Sequence, residues 1–316
     1  YDNNISVGNA STNLITDKIF KDEFEVSENH FQIFQGVVTG NNKAFIYDDI
    51  DSAKEKGIEK ELLVPMCHGR DISKWSIKYK RKLCYLNSDY DIENYPNTKR
   101  WLLNFKDKLE TRRECKNGVI PWFSLQWPRE KKYFEQQPKI LIQNTRNERL
   151  RPRIVATIDN EGLYGTQGLN FIISKDKYDI YTFLGLINSK LIDYLFTTKF
   201  LNLAIKADYL KKLKFPKSIA EYSLAQKAQD ITLFTKNLNT CVSKFIDLFQ
   251  SKFTLDKVSN KLKKWYELDF GDFLKELKKK KILLSLNEEA EWLQYFNEQK
   301  EKAQTLKEEI DKTDRE

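Results

Sequence analysis

The distribution of glycine and proline divides the sequence into two parts. Residues 218–316 contain one glycine, Gly271, and no proline, whereas the other ten glycines and all seven prolines of the 316-residue chain precede them. Since both residues disfavour helix interiors, this composition and apolar residues at helical spacing predict long helices. Ser285 and Glu288 have the spacing of a capping box that opens the last helix. We therefore expect one domain over residues 1–217 and a helical spacer or docking region after it.

The first part alternates short apolar runs with turn signals. Residues 31–47 predict a strand, a Gly/Asn turn and a second strand, residues 70–88 predict extended structure, and residues 138–174 predict a three-stranded meander. Residues 95–112 and 179–200 have apolar side chains at helical spacing, and we expect the second helix to pack on the sheet. The expected fold class is α+β: a mixed α/β domain with a largely antiparallel, curved sheet, followed by an α-helical region.

Positive charge is concentrated in the middle of the chain. Residues 66–217 carry 30 Lys and Arg against 16 Asp and Glu, a net charge of +14, whereas residues 1–65 have a net charge of −6 and residues 218–316 are neutral. Such a segment is typical of a polyanion-binding face, and its arginines favour DNA or RNA. The alternative is a lysine-rich surface that only solvates the fold.

The stretch GVVTGNNKAF, residues 36–45, is the first candidate binding element. It lacks the Gly-Lys-Ser/Thr ending with which a Walker loop holds phosphates and Mg²⁺, and β-prone residues follow it instead of a helix. One interpretation is a plain hairpin turn. The other is a loop that contacts a nucleic acid through Thr39, Gly40, Asn41, Asn42 and Lys43, with glycines that let the backbone approach closely.

A cluster of arginines between two predicted strands is the second candidate. Its arginines are spaced two residues apart at Arg149, Arg151 and Arg153. On a strand they would therefore project from one face and need an anion or acidic partners. The alternative is salt bridges to Glu148, Asp159 or Glu161. Further basic candidates for DNA contacts are Arg70, Lys74, Arg112, Arg113 and Arg146.

Basic residues also flank an aromatic stretch at residues 120–127. Arg112 and Arg113 precede the stretch, and residues 129–132 (Arg-Glu-Lys-Lys) follow it. Aromatic side chains with basic neighbours can stack on bases or sugars, although such tryptophans more often belong to a core.

The sequence contains no pattern of catalytic residues. Its four cysteines have no CxxC spacing and there are only two histidines, so a zinc site is improbable and free thiols in a reducing cytosol are expected. The Glu-x-Lys triplets at residues 276–278 and 298–300 have a spacing suited to a nuclease but lie on predicted helices, and no Pro-Pro dipeptide is present for the base-flipping loop of a methyltransferase. We therefore expect no catalytic residue, metal site or cofactor in this chain, and no membrane span.

Several stretches occur in the same order as in a known family. They are TGNNKAF (39–45), LVPMCHGRDISKW (63–75), YPNTKRWLLNFKDKLETR (95–112), PWFSLQWPRE (121–130), PKILIQ (138–143) and residues 163–196. This order resembles the TaqI-type C-terminal specificity domain, the target-recognition domain that follows the catalytic domain in adenine-specific DNA methyltransferases and fused restriction–modification enzymes. Residues 265–316 resemble the tail of the fused enzymes.

The resemblance implies the DNA target-recognition region of a larger, cytoplasmic adenine-N6 methyltransferase or restriction–modification enzyme. This region would position double-stranded DNA for base flipping and methyl transfer by a catalytic domain N-terminal in the same polypeptide. S-adenosylmethionine, and Mg²⁺ if a nuclease is present, would belong to the parent enzyme. The start without an initiator methionine also suggests a fragment. The alternatives are a scaffold that docks a partner through its helices and an autonomous hydrolase with an unrecognised site.

Overall fold

The computed structural model describes residues 24–147, 149–175, 178–198, 204–216 and 223–316. The chain divides into two compact units, one that ends at Gln226 and one that comprises Lys227–Glu316. The boundary expected near residue 217 falls outside the described residues and stays a prediction.

Short strands form most of the framework of the first unit. Those in the described residues are β1 (Phe24–Val26), β2 (Phe31–Gln35), β3 (Ile46–Tyr47), β4 (Leu63–Cys67), β5 (Ile72–Ser73), β6 (Ser76–Ile77), β7 (Lys82–Cys84), β8 (Lys139–Gln143), β9 (Ala156–Asp159), β10 (Tyr164–Gly165), β11 (Leu169–Ser174) and β12 (Lys214–Pro216).

The first unit contains two four-stranded sheets. One has the order β2-β11-β8-β9 and is antiparallel throughout, and the other has the order β10-β4-β7-β3, with β10 and β4 parallel. Two-stranded pairs join β1 to β12 and β5 to β6. The α+β class and the largely antiparallel pairing are confirmed.

The order of strands within residues 138–174 differs from the predicted meander. β8 lies between β9 and β11, so Ile140 is opposite both Ile158 and Ile172, while β10 joins the other sheet. All five residues of β8 are buried. A strand that is buried along its whole length, with an apolar centre, is most stable in the middle of a sheet, where both faces are covered. The meander prediction was therefore wrong.

The strand–turn–strand prediction for residues 31–47 was right about the strands and wrong about their pairing. β2 belongs to the first sheet and β3 to the second, so GVVTGNNKAF is not a hairpin turn. The chain leaves β2 at Gly36, where an added Cβ would lie 2.1 Å from the Gly165 carbonyl oxygen. Only glycine allows this close crossing of two backbones.

Short helices cover the sheets of the first unit. They are α1 (Ser27–His30), α2 (Asn42–Phe45), α3 (Ile50–Glu55), α4 (Pro96–Leu103), α5 (Lys106–Glu110), α6 (Arg113–Lys116), α7 (Lys131–Glu135), α8 (Ile180–Ile187), α9 (Lys190–Thr198) and α10 (Ala207–Lys211), with 3₁₀ turns at Lys60–Leu62, Gly69–Asp71 and Ile92–Asn94.

The helix predicted over residues 179–200 is divided into α8 and α9, and its last two residues lie outside the described residues. The break follows from Asn188, whose amide donates to the Ala156 carbonyl at 3.1 Å and accepts from the Ala156 N–H at 3.2 Å. These bonds satisfy the backbone of the edge strand β9. α8 packs on β9, as expected from its apolar sequence.

The main core of the first unit contains residues from both sheets. Phe134 from α7 stacks on Tyr164 with ring centroids 4.4 Å apart and meets Phe171 edge-on at 5.1 Å. Aromatic contacts of this geometry stabilise a core beyond the area that they bury.

The second unit is helical, which confirms the prediction for residues after 217. It contains most of α11 (Leu224–Phe253), a 3₁₀ segment (Leu262–Glu267), α12 (Phe270–Lys279) and α13 (Leu286–Arg315) around an aromatic core. The predicted capping box is confirmed, because Ser285 and Glu288 exchange side-chain and backbone hydrogen bonds. Among the described residues, no helix has the length and apolarity to cross a membrane.

Candidate nucleic-acid interface

The loop at residues 36–43 is held in a fixed shape by its own side chains. Asn41 caps α2 by accepting from the Lys43 N–H at 3.2 Å, and the buried Thr39 hydroxyl donates to Asn42 Oδ1 at 2.7 Å. Gly40 has φ +74°, a conformation that favours glycine. Gly40, Asn42 and Lys43 are exposed. The loop is therefore rigid and presents one positive charge to solvent.

Arg112 stabilises this loop from beneath. Its guanidinium is buried, with a side chain that is 7% exposed, and burial lowers its pKa. It donates to the carbonyl oxygens of Thr39 at 3.2 Å, Trp122 at 2.7 Å and Ser124 at 2.7 Å, while Nε donates to that of Leu109 at 2.7 Å. With four carbonyls occupying its donors, Arg112 is a structural residue in this fold, in contrast to the DNA contact predicted for it.

The turn at residues 165–168 connects the loop to the arginine cluster. The Val37 N–H donates to the Gly165 carbonyl at 2.8 Å, and the Gln167 N–H donates to that of Val37 at 3.1 Å. On the other side, Asn144 donates to the carbonyls of Gly168 at 2.9 Å and Gln167 at 2.8 Å. A concavity of about 300 Å³ lies between the loop and Gln167.

The turn at residues 69–74 joins the same surface through Gln143. The Gln143 amide donates to the carbonyls of Gly69 at 2.7 Å and Ile72 at 3.1 Å, and it accepts from Arg146 at 3.1 Å. Residues 36–43, 69–74, 144–153 and 165–168 thus form one hydrogen-bonded surface, which we call the loop row. Arg70 is exposed on it.

The neighbouring Cys67 and His68 do not form a nucleophilic site. Cys67 is fully buried in β4, and burial raises the pKa of its thiol. Burial also lowers the pKa of His68, whose backbone N–H donates to Asp71 at 2.8 Å. Within the described residues, no three His, Cys, Asp or Glu side chains are grouped to hold a metal ion.

The arginine cluster is not a strand face, because β9 begins only at Ala156. Arg153 is buried and donates to the Arg146 carbonyl at 2.9 Å, and Arg146 donates to that of Pro152 at 2.8 Å. These two arginines hold the loop together, while Arg149 and Arg151 are exposed. The predicted projection of Arg149, Arg151 and Arg153 from one face was therefore wrong.

The acidic partners proposed for the cluster have other contacts. Asp159 lies 2.5 Å from Lys139 in a fully buried ion pair, and Glu161 accepts a hydrogen bond from Tyr79. The third, Glu148, lies outside the described residues.

Four of the predicted basic contacts are exposed side chains that have no partner in the described part of the chain. They make no hydrogen bond or ion pair with any residue that the structure describes: Lys43, Arg70, Arg113 and Arg149. Lys74 is half-buried, with its ammonium 5.7 Å from the Trp75 ring. Unpaired cations at the edge of a rigid surface are suited to phosphate oxygens. Asn144 and Gln167, which organise this surface, were not singled out in the sequence because isolated amides carry no motif.

Two restriction–modification enzymes of known structure show weak similarity to the chain. The type IIL enzyme MmeI, solved in complex with DNA, is 10% identical with a TM-score of 0.44, covering 87% of this chain and 36% of MmeI. The type IIG restriction endonuclease BpuSI is 11% identical with a TM-score of 0.43, covering 95% of this chain and 32% of BpuSI.

Sequence comparison gives a firmer relationship. The type II methyltransferase M.MjaIV of Methanocaldococcus jannaschii is 26% identical over an alignment of 166 residues. The alignment covers 49% of this chain and 53% of the relative, so the chain spans about half the length of that relative. A domain of unknown function, DUF8810, matches residues 217–316. The family described as TaqI-like C-terminal specificity domain matches residues 64–214. These residues, just under half of the chain, are thus similar to a specificity domain.

Proposed function

We propose that the chain is the DNA target-recognition region of a larger adenine-N6 DNA methyltransferase or restriction–modification enzyme. The observation that supports this proposal is the loop row, which brings Lys43 to the same hydrogen-bonded surface as Arg70 and Arg149, two residues of the segment that is similar to a specificity domain. Their charges have no partner among the described residues, so a phosphate backbone would neutralise them.

The loop row is suited to recognise duplex DNA in two ways. Its cations would contact phosphates and fix the position of the duplex, while arginine and amide side chains would read base edges. Arg70 and Arg149 offer the bidentate donors that guanine accepts, and Asn42 offers the amide that adenine accepts. Because internal hydrogen bonds already fix the loops, little conformational entropy would be lost on binding.

The parent enzyme would supply the chemistry. A catalytic domain N-terminal in the same polypeptide would bind S-adenosylmethionine and methylate the flipped adenine, while this region would position the double-stranded DNA. We also propose the domain boundary near residue 217, supported by the separate family matches over residues 64–214 and 217–316. The helices after the boundary would hold the recognition domain relative to the catalytic part.

The test is the binding of a labelled random-sequence duplex to the chain, measured by fluorescence anisotropy over a salt series. We expect affinity to fall steeply with salt, and the double change Arg70→Ala/Arg149→Ala should weaken binding and reduce the magnitude of the log–log slope by about two. The matched control is Lys278→Ala/Lys280→Ala in the helical unit, which removes the same charge from exposed positions. The proposal would be contradicted if the chain did not bind the duplex at low salt, or if both variants lost the same amount of duplex affinity.

A further inference from the structure

A tryptophan beside the loop row, Trp127, exposes its side chain to solvent. We propose that Trp127 and the concave surface around it bind a nucleobase that has left the duplex stack. This inference rests on the proposed DNA-binding function and adds a second kind of contact to it, one made with the face of a base.

Trp127 is the only tryptophan of the six that is exposed, with 47% of its surface accessible. Its backbone is fixed, because Trp127 and Val38 exchange two hydrogen bonds of 2.9 Å across an isolated bridge. An indole held rigidly in water gains free energy when a flat apolar ligand covers it, and little entropy is lost on binding. These are the properties of a stacking platform.

The surface around Trp127 is concave and partly apolar. Its volume is about 460 Å³, within the range of about 300–1,000 Å³ typical of small-molecule sites. Val119, 67% exposed, contributes apolar surface together with Ile120 and Pro128. A ligand that stacks on the indole would therefore also cover aliphatic side chains.

Arg129 places a positive charge beside the indole. Its guanidinium carbon lies 5.7 Å from the Trp127 ring centroid, and its backbone has φ +58°. This conformation is uncommon and strained for a residue other than glycine. Such strained residues cluster at binding sites, and here Arg129 is placed to meet the phosphate of a nucleotide whose base covers Trp127.

The polar groups of the concavity favour a base over a phosphate. Glu114 accepts from the Gln126 amide at 2.8 Å, and hydrogen bonds from its own backbone amide, from Gln126 and from Trp127 lower the pKa of its carboxyl group. An ionised carboxylate repels a phosphate, but it accepts hydrogen bonds from the ring N–H or amine groups that an unpaired base exposes. A nucleotide would therefore bind with its base inward and its phosphate towards Arg129.

The concavity adjoins the loop row at Gly40. A Cβ added to Gly40 would lie 3.1 Å from Gln126 Oε1, so the loop and this pocket are in contact. Within a duplex, a stacked base offers only its edges to a protein. The indole face can therefore stack only on a base that is unpaired, bulged or displaced when its neighbour is flipped out.

The experiment compares two single strands of equal length, oligo(dT) and an oligomer of the same sugar–phosphate backbone without bases. We expect Trp127→Leu to weaken oligo(dT) binding about 10-fold and Trp127→Phe to retain most of it, because phenylalanine preserves an aromatic face. The abasic strand should bind all three proteins equally. Oligo(dT) should also quench the tryptophan emission of the wild type more than that of either variant.

Two outcomes would overturn the inference: equal binding of both strands by the wild type, or undiminished oligo(dT) binding by Trp127→Leu. The proposed function is tested separately by paired duplex, whose binding should depend on Arg70 and Arg149 and should not change in Trp127→Leu. If the arginine variant loses duplex binding while Trp127→Leu binds oligo(dT) as tightly as the wild type, the stacking site alone is rejected. A wild type that binds neither strand nor duplex would reject both proposals.

Discussion

Two adjacent arginines in this chain have opposite environments. Arg112 is buried against four carbonyl oxygens, whereas the side chain of Arg113 is exposed and makes no hydrogen bond or ion pair within the described residues. The difference arises because Arg112 is the N-cap residue of α6 and its side chain points inward, whereas Arg113 is the first residue of that helix. A side chain that stabilises the fold and one that is exposed to solvent are thus one residue apart.

The exchange of Arg112 for lysine should lower the free energy of unfolding but have little effect on the affinity for duplex DNA. Lysine cannot reproduce the forked donors, so buried carbonyls lose partners and we expect Arg112→Lys to lower the free energy of unfolding by about 2–3 kcal/mol. Urea denaturation measures this change. The matched variant Arg113→Ala should change the free energy of unfolding by less than about 0.5 kcal/mol and weaken duplex binding. A stable Arg112→Lys protein would show that the four hydrogen bonds contribute little.

At the scale of elements, the crossing of β2 and β10 depends on the absence of a side chain. At Gly36 an added Cβ would meet the carbonyl oxygens of Gly165 at 2.1 Å and Thr166 at 2.4 Å, and neither backbone can move without breaking its sheet. We expect Gly36→Ala to cost about 3 kcal/mol in thermal or chemical unfolding. Gly168→Ala is the control, since its nearest atom would be 3.8 Å away, and it should be within about 0.5 kcal/mol of wild type.

Helix α4 is capped by a residue that is distant in sequence. Its N-cap residue Tyr95 forms no side-chain cap, and Glu59 instead accepts from the backbone N–H groups of Asn97 and Thr98, both at 2.9 Å, and from the Thr98 hydroxyl. Burial alone would raise the pKa of Glu59, but these hydrogen bonds outweigh it and lower the pKa. The carboxylate therefore stabilises the folded state.

This cap predicts a pH dependence of stability. A lowered pKa means that the contribution is complete above the ordinary value of 4.5 and is lost as the pH falls through the folded-state value. Glu59→Gln should therefore cost about 1 kcal/mol at neutral pH and less at about pH 3, measured by urea unfolding at both. A cost that stays constant with pH would show that the charge of Glu59 is irrelevant to the cap.

At the scale of the whole molecule, the helical unit has its own aromatic core. Phe245 stacks on Trp265 at 3.9 Å and contacts Phe273 and Tyr295. We expect Phe245→Ala to lower the stability of this unit by about 3–5 kcal/mol, seen as faster amide hydrogen exchange in residues 227–316. Duplex affinity should be retained, because the loop row lies in the first unit. Equal acceleration of exchange before Gln226 would show that the two units unfold as one.

Local features of the chain were predictable where neighbours in sequence decide them. The capping box at Ser285 and the helical character after residue 217 need only short-range hydrogen bonds and apolar periodicity. The break at Asn188 was not predictable, because its cause is a pair of bonds to Ala156, 32 residues away. The same applies to Glu59, whose partners lie 38 and 39 residues along the chain.

By itself, the sequence determined the α+β class, the helical second part, the basic middle segment and the family resemblance, because composition, periodicity and motif order are properties of the chain. Only the tertiary structure decided which basic residues reach solvent. The side chains of Arg112 and Arg153 are buried and donate to backbone carbonyls, whereas those of Arg113 and Arg149 are exposed. A guanidinium binds carbonyls as readily as phosphates, and the fold decides which of the two it meets.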